Sequence, residues 1–314
     1  MDEAAIQGGV DLVDKIYQLK QERNAVIFAH YYQDPSIQDL ADFLGDSLAM
    51  ARQAVATSAD VIVLCGVVFM AEMAKVLNPD RILLIPDMQA GCSLADDCPA
   101  DEFRQWVDAH PDHVVVTYVN SSIEVKALSD ITCTSSNAER VISSIPLERP
   151  ILFAPDRNLG RYIQSRTKRE MLLWPGSCEV HKEITETGIL ALKAEHPDAL
   201  VTAHPECDET VLRHADHIGS TTSMVRYTST GRPKKYIVAT EEGVIHQMRK
   251  MAPQNTYLPA VTGQNSDCGR CRHMRLNSLE KVYRALRDLK PQIVLDENIM
   301  CRALTPLEKM LAVT

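Results

Sequence analysis

The chain has 314 residues, of which 45% are apolar and 24% are charged, so it can bury a sizeable core spread over two or three domains. Its formal net charge is −9 and no long basic run occurs, which argues against a general binder of nucleic acid or of anionic membranes. No signal-like N-terminal stretch and no apolar run of about 18 residues is found, so we expect a soluble, cytoplasmic protein.

The predicted elements begin with an amphipathic helix over residues 9–22, where apolar side chains recur at helical spacing. Twelve apolar runs then predict strands, with helical segments between them: 25–29, near 43, 61–64 and 81–85; 113–119, 130–134, 151–154 and 171–174; 200–203, 217–220, 236–239 and 256–258. Two more helices, at 276–289 and 306–311, are predicted to pack on the outside.

An internal triplication organises these elements. The segments 42–47, 130–135 and 216–221 each begin with aspartate, lie at spacings of 88 and 86 residues, and each follow a short apolar strand. Strands that are apolar throughout and alternate with helices favour parallel sheets with right-handed crossovers. We therefore predict an α/β fold of three homologous three-layer αβα domains, with four-stranded parallel sheets around a pseudo-threefold axis. The predicted boundaries are 1–110, 111–197 and 198–275, with C-terminal helices over 276–314.

Each copy also places a cysteine after an apolar strand that runs into proline: Cys92, Cys178, and either Cys268 or Cys271. Three equivalent thiols meeting on one axis would hold a metal cluster and leave one metal corner free. Nine cysteines, an odd number, suit reduced thiols better than a disulfide framework.

Other interpretations of the cysteines stay open. Cys65, Cys133 and Cys301 are more typical of small buried hydrophobic residues, Cys98 of a structural thiol, and Cys207 is undecided. The Cys268–Cys271 pair has the CxxC spacing of half a zinc site or of a redox pair, but no second CxxC accompanies it.

Polar side chains gather where the strands of each copy end, which is where open parallel sheets bind ligands. These residues are His30, Tyr32, Ser47, Tyr118, Asn120, Ser135, His204, Glu206, Ser220 and Thr221. The hydroxyl residues stand where a strand passes into a helix, so they predict anion sites. A serine in that position is also typical of a simple helix N-cap.

Several longer motifs carry a resemblance to a known family. They include His30-Tyr31-Tyr32-Gln33, Tyr118-Val119-Asn120, Cys178-Glu179-Val180-His181 and Ala203-His204-Pro205-Glu206-Cys207, together with the segments 45–47, 90–92, 135–138, 154–160 and 219–221. Over nearly its whole length the chain resembles quinolinate synthase, the A protein (NadA) of bacterial NAD biosynthesis.

The resemblance implies a transferase that condenses iminoaspartate with dihydroxyacetone phosphate to give quinolinate, phosphate and water. It also implies three α/β domains around one [4Fe-4S] cluster that is held by Cys92, Cys178 and Cys271. Cys271 is preferred because family members place the ligand cysteine three residues before a methionine, here Met274. Cys268 then resembles a variable second thiol, and Asn265 replaces a third cysteine that some relatives have.

For this chemistry we expect Glu206 to act as the base, and His204 to position an oxygen or relay a proton. Tyr32 and Tyr118 would donate to a developing oxyanion, and Asn120 would orient a carbonyl or carboxylate. We expect substrate binding by His30, Ser47, Asn120, Ser135, Ser220 and Thr221. The implied partners are L-aspartate oxidase or dehydrogenase, as the supplier of iminoaspartate, and iron-sulfur assembly proteins; no nucleic acid or membrane is expected.

Two other classes of function fit part of the pattern. A reductase that forms isoprenoid diphosphates also has three repeated domains and a three-cysteine cluster, but it needs electrons. A non-enzymatic iron-sulfur or zinc sensor is the third interpretation, although no DNA-binding helix-turn-helix pattern supports it.

Overall fold

The structure is a computed structural model that describes residues 3–231, 234–260 and 269–313; of residues 3–10 only the backbone is described. By their internal packing the residues form two compact units. Unit 1 consists of Met1–Gly91 and Arg272–Glu297, and unit 2 consists of Cys92–Cys271 and Asn298–Thr314. The domain boundaries expected from the repeats remain a prediction.

Unit 1 contains the first repeat. Its elements are α1 (Glu3–Glu22), β1 (Ala25–His30), α2 (Pro35–Leu40), β2 (Phe43–Gly45), α3 (Ser47–Ala56), β3 (Val61–Cys65), α4 (Val68–Leu77) and β4 (Ile82–Leu84). The four strands form a parallel sheet in the order β2-β1-β3-β4.

Unit 2 begins with the second repeat. Its elements are α5 (Ser93–Asp96), α6 (Ala100–Asp108), β5 (Val114–Tyr118), α7 (Ile123–Lys126), β6 (Ile131–Cys133), α8 (Ala138–Ser144), β7 (Ile151–Ala154), α9 (Arg157–Thr167), β8 (Leu172–Leu173) and α10 (Glu179–Lys182). This sheet is also parallel, in the order β6-β5-β7-β8.

The third repeat follows in unit 2. Its elements are α11 (Glu186–Glu195), β9 (Leu200–Ala203), α12 (Glu209–Leu212), β10 (His217–Ile218), α13 (Thr221–Thr228), β11 (Lys235–Ala239), α14 (Val244–Met251) and β12 (Thr256–Pro259). The parallel order is β10-β9-β11-β12. One strand order thus recurs in the three described sheets, which confirms the predicted repeated αβα fold class.

The two C-terminal helices are α15 (Leu279–Asp288) and α16 (Glu297–Ala312). α15 buries Val282, Ala285 and Leu286 in the apolar core of unit 1. The prediction for α16 was too short, because Pro306 lies inside a 16-residue helix instead of starting one. None of the described helices is both long and apolar enough to cross a bilayer.

An aspartate clamps the second strand to the first in every repeat. Its carboxylate accepts the backbone N–H of a residue 15 positions earlier, and its own N–H donates to the carbonyl of that residue. The carboxylate distances are 2.7 Å for Asp42 with Ile27, 2.8 Å for Asp130 with Val115 and 2.8 Å for Asp216 with Val201. The motif that revealed the triplication in the sequence therefore has a structural cause.

Replacing Asp130 by alanine removes one such charge-assisted bond, and we expect the free energy of unfolding to fall by about 1 kcal/mol. Urea denaturation of the purified variant measures this. Asp112→Ala, an exposed aspartate of the same repeat, is the matched control. Equal unfolding midpoints for the two variants would contradict a stabilising clamp.

Candidate functional site

A buried carboxylate lies at the centre of the site in unit 2. Glu206 is only 3% exposed and follows β9, where the chain leaves the sheet. The Tyr118 hydroxyl, at the end of β5, donates to Glu206 Oε1 at 2.5 Å. The second and third repeats therefore bring their first-strand ends together around one negative charge.

Two histidines complete this group. Nδ1 of His181 lies 2.9 Å from Glu206 Oε2, although its ring N–H is not aligned with that oxygen. His204 Nδ1 is 3.9 Å from Oε1, and the two imidazoles stack with centroids 4.9 Å apart. On their far sides, His181 Nε2 is 2.9 Å from Thr240 Oγ1 and His204 Nε2 is 3.2 Å from Ser135 Oγ.

These neighbours set the protonation of Glu206. Burial by itself raises the pKa of the carboxyl, but the histidine charges and the Tyr118 hydrogen bond outweigh burial and lower that pKa to about 2. Asp156, which is also buried, behaves in the opposite way, because burial and the charge of Glu206 raise its pKa well above the ordinary value. The surroundings therefore favour the ionised form of Glu206 and oppose the ionisation of Asp156.

The three predicted ligand cysteines differ from the other described cysteines in exposure. Cys92, Cys178 and Cys271 are partly exposed, whereas Cys65, Cys98, Cys133 and Cys207 are buried and Cys301 is exposed. Cys92 and Cys178 each occupy the residue before a short helix, α5 and α10. Cys268 and Asn265 lie outside the described residues.

Each of these thiols lies within electrostatic range of at least one other. Burial raises the pKa of Cys92 to about 12, and the nearby Cys271 and Glu206 add to the rise. The pKa of Cys178 is raised well above its ordinary value by burial, by Glu206 and by Cys92. A thiolate at one of these cysteines opposes ionisation of the next one. A cation bound between them would remove that opposition and stabilise the thiolates. The donor set therefore fits a metal or an iron-sulfur group.

Two acidic side chains, the buried Glu241 and the exposed Glu183, hold the Cys271 loop. The Cys271 N–H donates to Glu241 Oε1 at 3.3 Å, and the Gly243 N–H donates to the other oxygen of Glu241 at 2.6 Å. Gly269 N–H donates to Glu183 at 3.0 Å. Cys271 therefore lies in a loop whose backbone amides are held by two carboxylates.

The sequence analysis missed His181, whose role follows from its spacing. It lies in α10, three residues after Cys178, which is the N-cap of that helix. Donor atoms of Cys178, His181 and Glu206 lie within 4.8 Å of one another, a group able to bind a metal ion. That spacing, inside a motif already singled out, was the available signal.

Of the remaining predicted residues of unit 2, one has an unpaired buried oxygen and two lie at the start of a helix. Asn120 has a buried side-chain oxygen without a hydrogen-bond partner, which suits a ligand contact. Ser220 is the N-cap of α13, accepting from the Ser223 N–H at 3.4 Å, and Thr221 is the first residue of that helix. Both hydroxyl residues are buried. The N-cap interpretation of Ser220 is therefore confirmed, and anion binding there stays a prediction.

Three predicted residues belong to unit 1. His30 is buried at the end of β1, with its Nδ1 accepting the Tyr32 N–H at 3.2 Å and its ring 4.5 Å from the Tyr32 ring. The same backbone contact recurs in the third repeat, where His204 Nδ1 accepts the Glu206 N–H at 3.4 Å. Ser47 is the first residue of α3, after the N-cap Asp46. Substrate binding by these three residues stays a prediction.

Comparison with known proteins adds independent information. The family model for quinolinate synthetase A protein (NadA) matches residues 14–312. A protein from Thermosynechococcus vestitus named quinolinate synthase is 56% identical over 96% of this chain and 95% of its own. One of the same name from Synechocystis sp. is 53% identical over 97% of this chain and 96% of its own. The repeated sheets and the neighbouring thiols agree with this match. The chain belongs to the quinolinate synthetase A protein (NadA) family.

Proposed function

We propose that this chain is a quinolinate synthase, a transferase that condenses iminoaspartate with dihydroxyacetone phosphate to give quinolinate, phosphate and water in the formation of NAD. The observation that supports this most is the ionised Glu206, held by Tyr118 and two histidines, in one unit with three neighbouring thiols. Relatives of that name at 53 to 56% identity support the same conclusion.

We propose further that Cys92, Cys178 and Cys271 hold a [4Fe-4S] cluster. When bound through three thiolates, such a cluster supplies an iron with an exchangeable coordination site, a Lewis acid for a substrate oxygen. The protein contributes the backbone amides of the helical turns after Cys92 and Cys178, which oppose the rise in the thiol pKa values. Glu241 holds the Cys271 loop by accepting the Cys271 N–H.

Glu206 is the proposed general base. Its lowered pKa keeps it ionised at neutral pH, but it also makes the isolated carboxylate a weak base. The carboxylate therefore acts together with its partners: Tyr118 holds one oxygen through its O–H, and the histidines receive or return a proton. Removing a proton from a substrate carbon and passing it to a departing hydroxyl both require such a group.

The substrates carry two carboxylates and a phosphate, which need donors around the base. Ser135 lies against His204, and the unpaired oxygen of Asn120 can accept from a substrate hydroxyl or imine N–H. Ser220 and Thr221, at the start of α13, are proposed to bind an anionic group, as helix N-termini do. In the first repeat, His30 and Ser47 are proposed to bind substrate and Tyr32 to donate to an oxyanion.

The proposed context is the cytoplasm. Iminoaspartate is an unstable imine, so an oxidase or dehydrogenase acting on L-aspartate must supply it. Separate iron-sulfur assembly proteins would deliver the cluster. Neither nucleic acid nor a membrane is part of the proposal.

The ligand assignment is tested by alanine substitution at each of Cys92, Cys178 and Cys271. After anaerobic reconstitution we expect each variant to lose iron, sulfide and quinolinate formation, because the proposed cluster is held by three thiolates and each variant removes one of them. Cys65→Ala and Cys301→Ala are the controls and should keep all three. A variant of the first three that retains full activity would remove that cysteine from the set. Product formation without a reductant excludes the reductase alternative.

The role of Glu206 is tested by Glu206→Gln, which keeps the shape of the side chain and removes its charge. We expect kcat to fall by roughly 10² to 10⁴-fold, the usual contribution of a general base, with the iron content unchanged. Glu209→Gln, an exposed glutamate in α12, is the control. If the two variants have equal kcat values, Glu206 is not the base.

A further inference from the structure

The loop after the first strand of each repeat carries the proposed site residues and then enters a short helix. The N-caps of these helices are Asp34, Ser122 and Asp208. The residue four positions after each N-cap is Gln38 in the first repeat, Lys126 in the second and Leu212 in the third. The three positions are equivalent by repeat, but their chemistry differs.

In the first two repeats this side chain is a buried hydrogen-bond donor. The Gln38 amide donates to the carbonyls of Tyr31 and Gln33, each at 2.9 Å. The Lys126 ammonium, which is 0% exposed, donates to the carbonyl of Ser121. A buried backbone carbonyl needs a donor, and here the donor also fixes the loop to its own helix.

The third repeat has no such donor at this position, because Leu212 is apolar. A donor to another carbonyl of this loop comes from α9 of the second repeat, where Asn158 Nδ2 donates to the carbonyl of Glu206 at 3.0 Å. Asn158 is only 6% exposed, and it lines the same surface cavity of about 530 Å³ as Leu212. The loop that carries the proposed base is therefore held from the neighbouring repeat.

The same turn of α9 also holds the loop that leads to Cys178. The Arg157 N–H donates to the carbonyl of Gly176 at 2.9 Å, and Asp156 forms a β-bridge with Gly176. Asp156 also caps α9 by accepting the Leu159 N–H at 2.7 Å. Three successive residues, Asp156 to Asn158, thus contact both the cysteine loop and the carboxylate loop.

We propose that Asn158 is a positioning residue that fixes Glu206 relative to Cys178. This inference rests on the proposed function of Glu206. A rigid helix turn that holds both loops keeps the carboxylate at a set distance from the thiol. Misplacement of a reacting group by about 1 Å can cost roughly 10²-fold in rate, so the effect is measurable.

The test is Asn158→Leu, which removes the donor at nearly constant volume. We expect kcat to fall by about 10 to 100-fold, whereas KM changes by less than about threefold and the iron and sulfide content is unchanged. The matched control is Ser165→Ala, on the same helix and the same cavity wall, with wild-type kinetics expected. A merely structural role would lower thermal stability and leave kcat per folded molecule unchanged.

A second-site variant makes the test sharper. Leu212→Gln in the Asn158→Leu background introduces the donor of the first repeat, which would hold the carbonyls on either side of Glu206 and so fix the same loop. We therefore expect it to recover at least several-fold of the lost kcat. If the double variant is as thermostable as the single one and recovers nothing, the loss did not come from the missing donor, and the proposal is wrong.

Hydrogen exchange separates this proposal from the proposed function. In the chain without a cluster, the amides of Glu206 and Cys207 should exchange faster in Asn158→Leu than in the wild type, whatever the activity. Failure of the reconstituted wild type to form quinolinate would overturn the proposed function, and the exchange rates would still decide the role of Asn158. If both the exchange rates and kcat are unchanged in Asn158→Leu, the proposed positioning role of Asn158 is wrong.

Discussion

The burial of an ionised carboxylate is the constraint on which the site depends. Removing a charge from water costs several kcal/mol unless partners replace the lost hydration. At Glu206 three side chains replace the lost water. They are the Tyr118 hydroxyl at the end of β5, His181 in α10, and His204, two residues before Glu206 in the sequence. Because each partner compensates the same charge, the second and third repeats must pack in one arrangement for the charge to be buried at all.

The triplication supplies the scaffold, and substitution within it supplies the chemistry. The aspartate clamp between the first two strands recurs nearly unchanged in geometry at Asp42, Asp130 and Asp216. The loop after the first strand has diverged, so that equivalent positions hold Tyr32, Asn120 and Glu206. A repeated α/β unit thus presents one loop three times at the carboxyl edge of a sheet, and each copy can specialise without altering the sheet.

The thiols and the carboxylate influence each other electrostatically. Glu206 raises the pKa values of Cys92 and Cys178, so the thiol group in isolation resists ionisation. A bound cation would reverse this balance, because it stabilises thiolates more strongly than a nearby carboxylate destabilises them. The position of the negative carboxylate beside the cysteines is therefore compatible with the proposed iron-sulfur cluster.

Much of this was determined by the sequence, because it depends on local pattern. Apolar runs gave the strands, the recurrence of aspartate gave the triplication, and the cysteine after each proline gave the thiols. Pro306 is an exception: the sequence predicts a helix that starts there, whereas the residue is buried inside α16, where packing outweighs the backbone hydrogen bond that a proline cannot make. The tertiary structure alone decided that His181 and Asn158 meet Glu206, and that its pKa falls. Those contacts join residues 25 to 48 positions apart on different elements, and neither spacing nor composition records which buried groups must compensate one another.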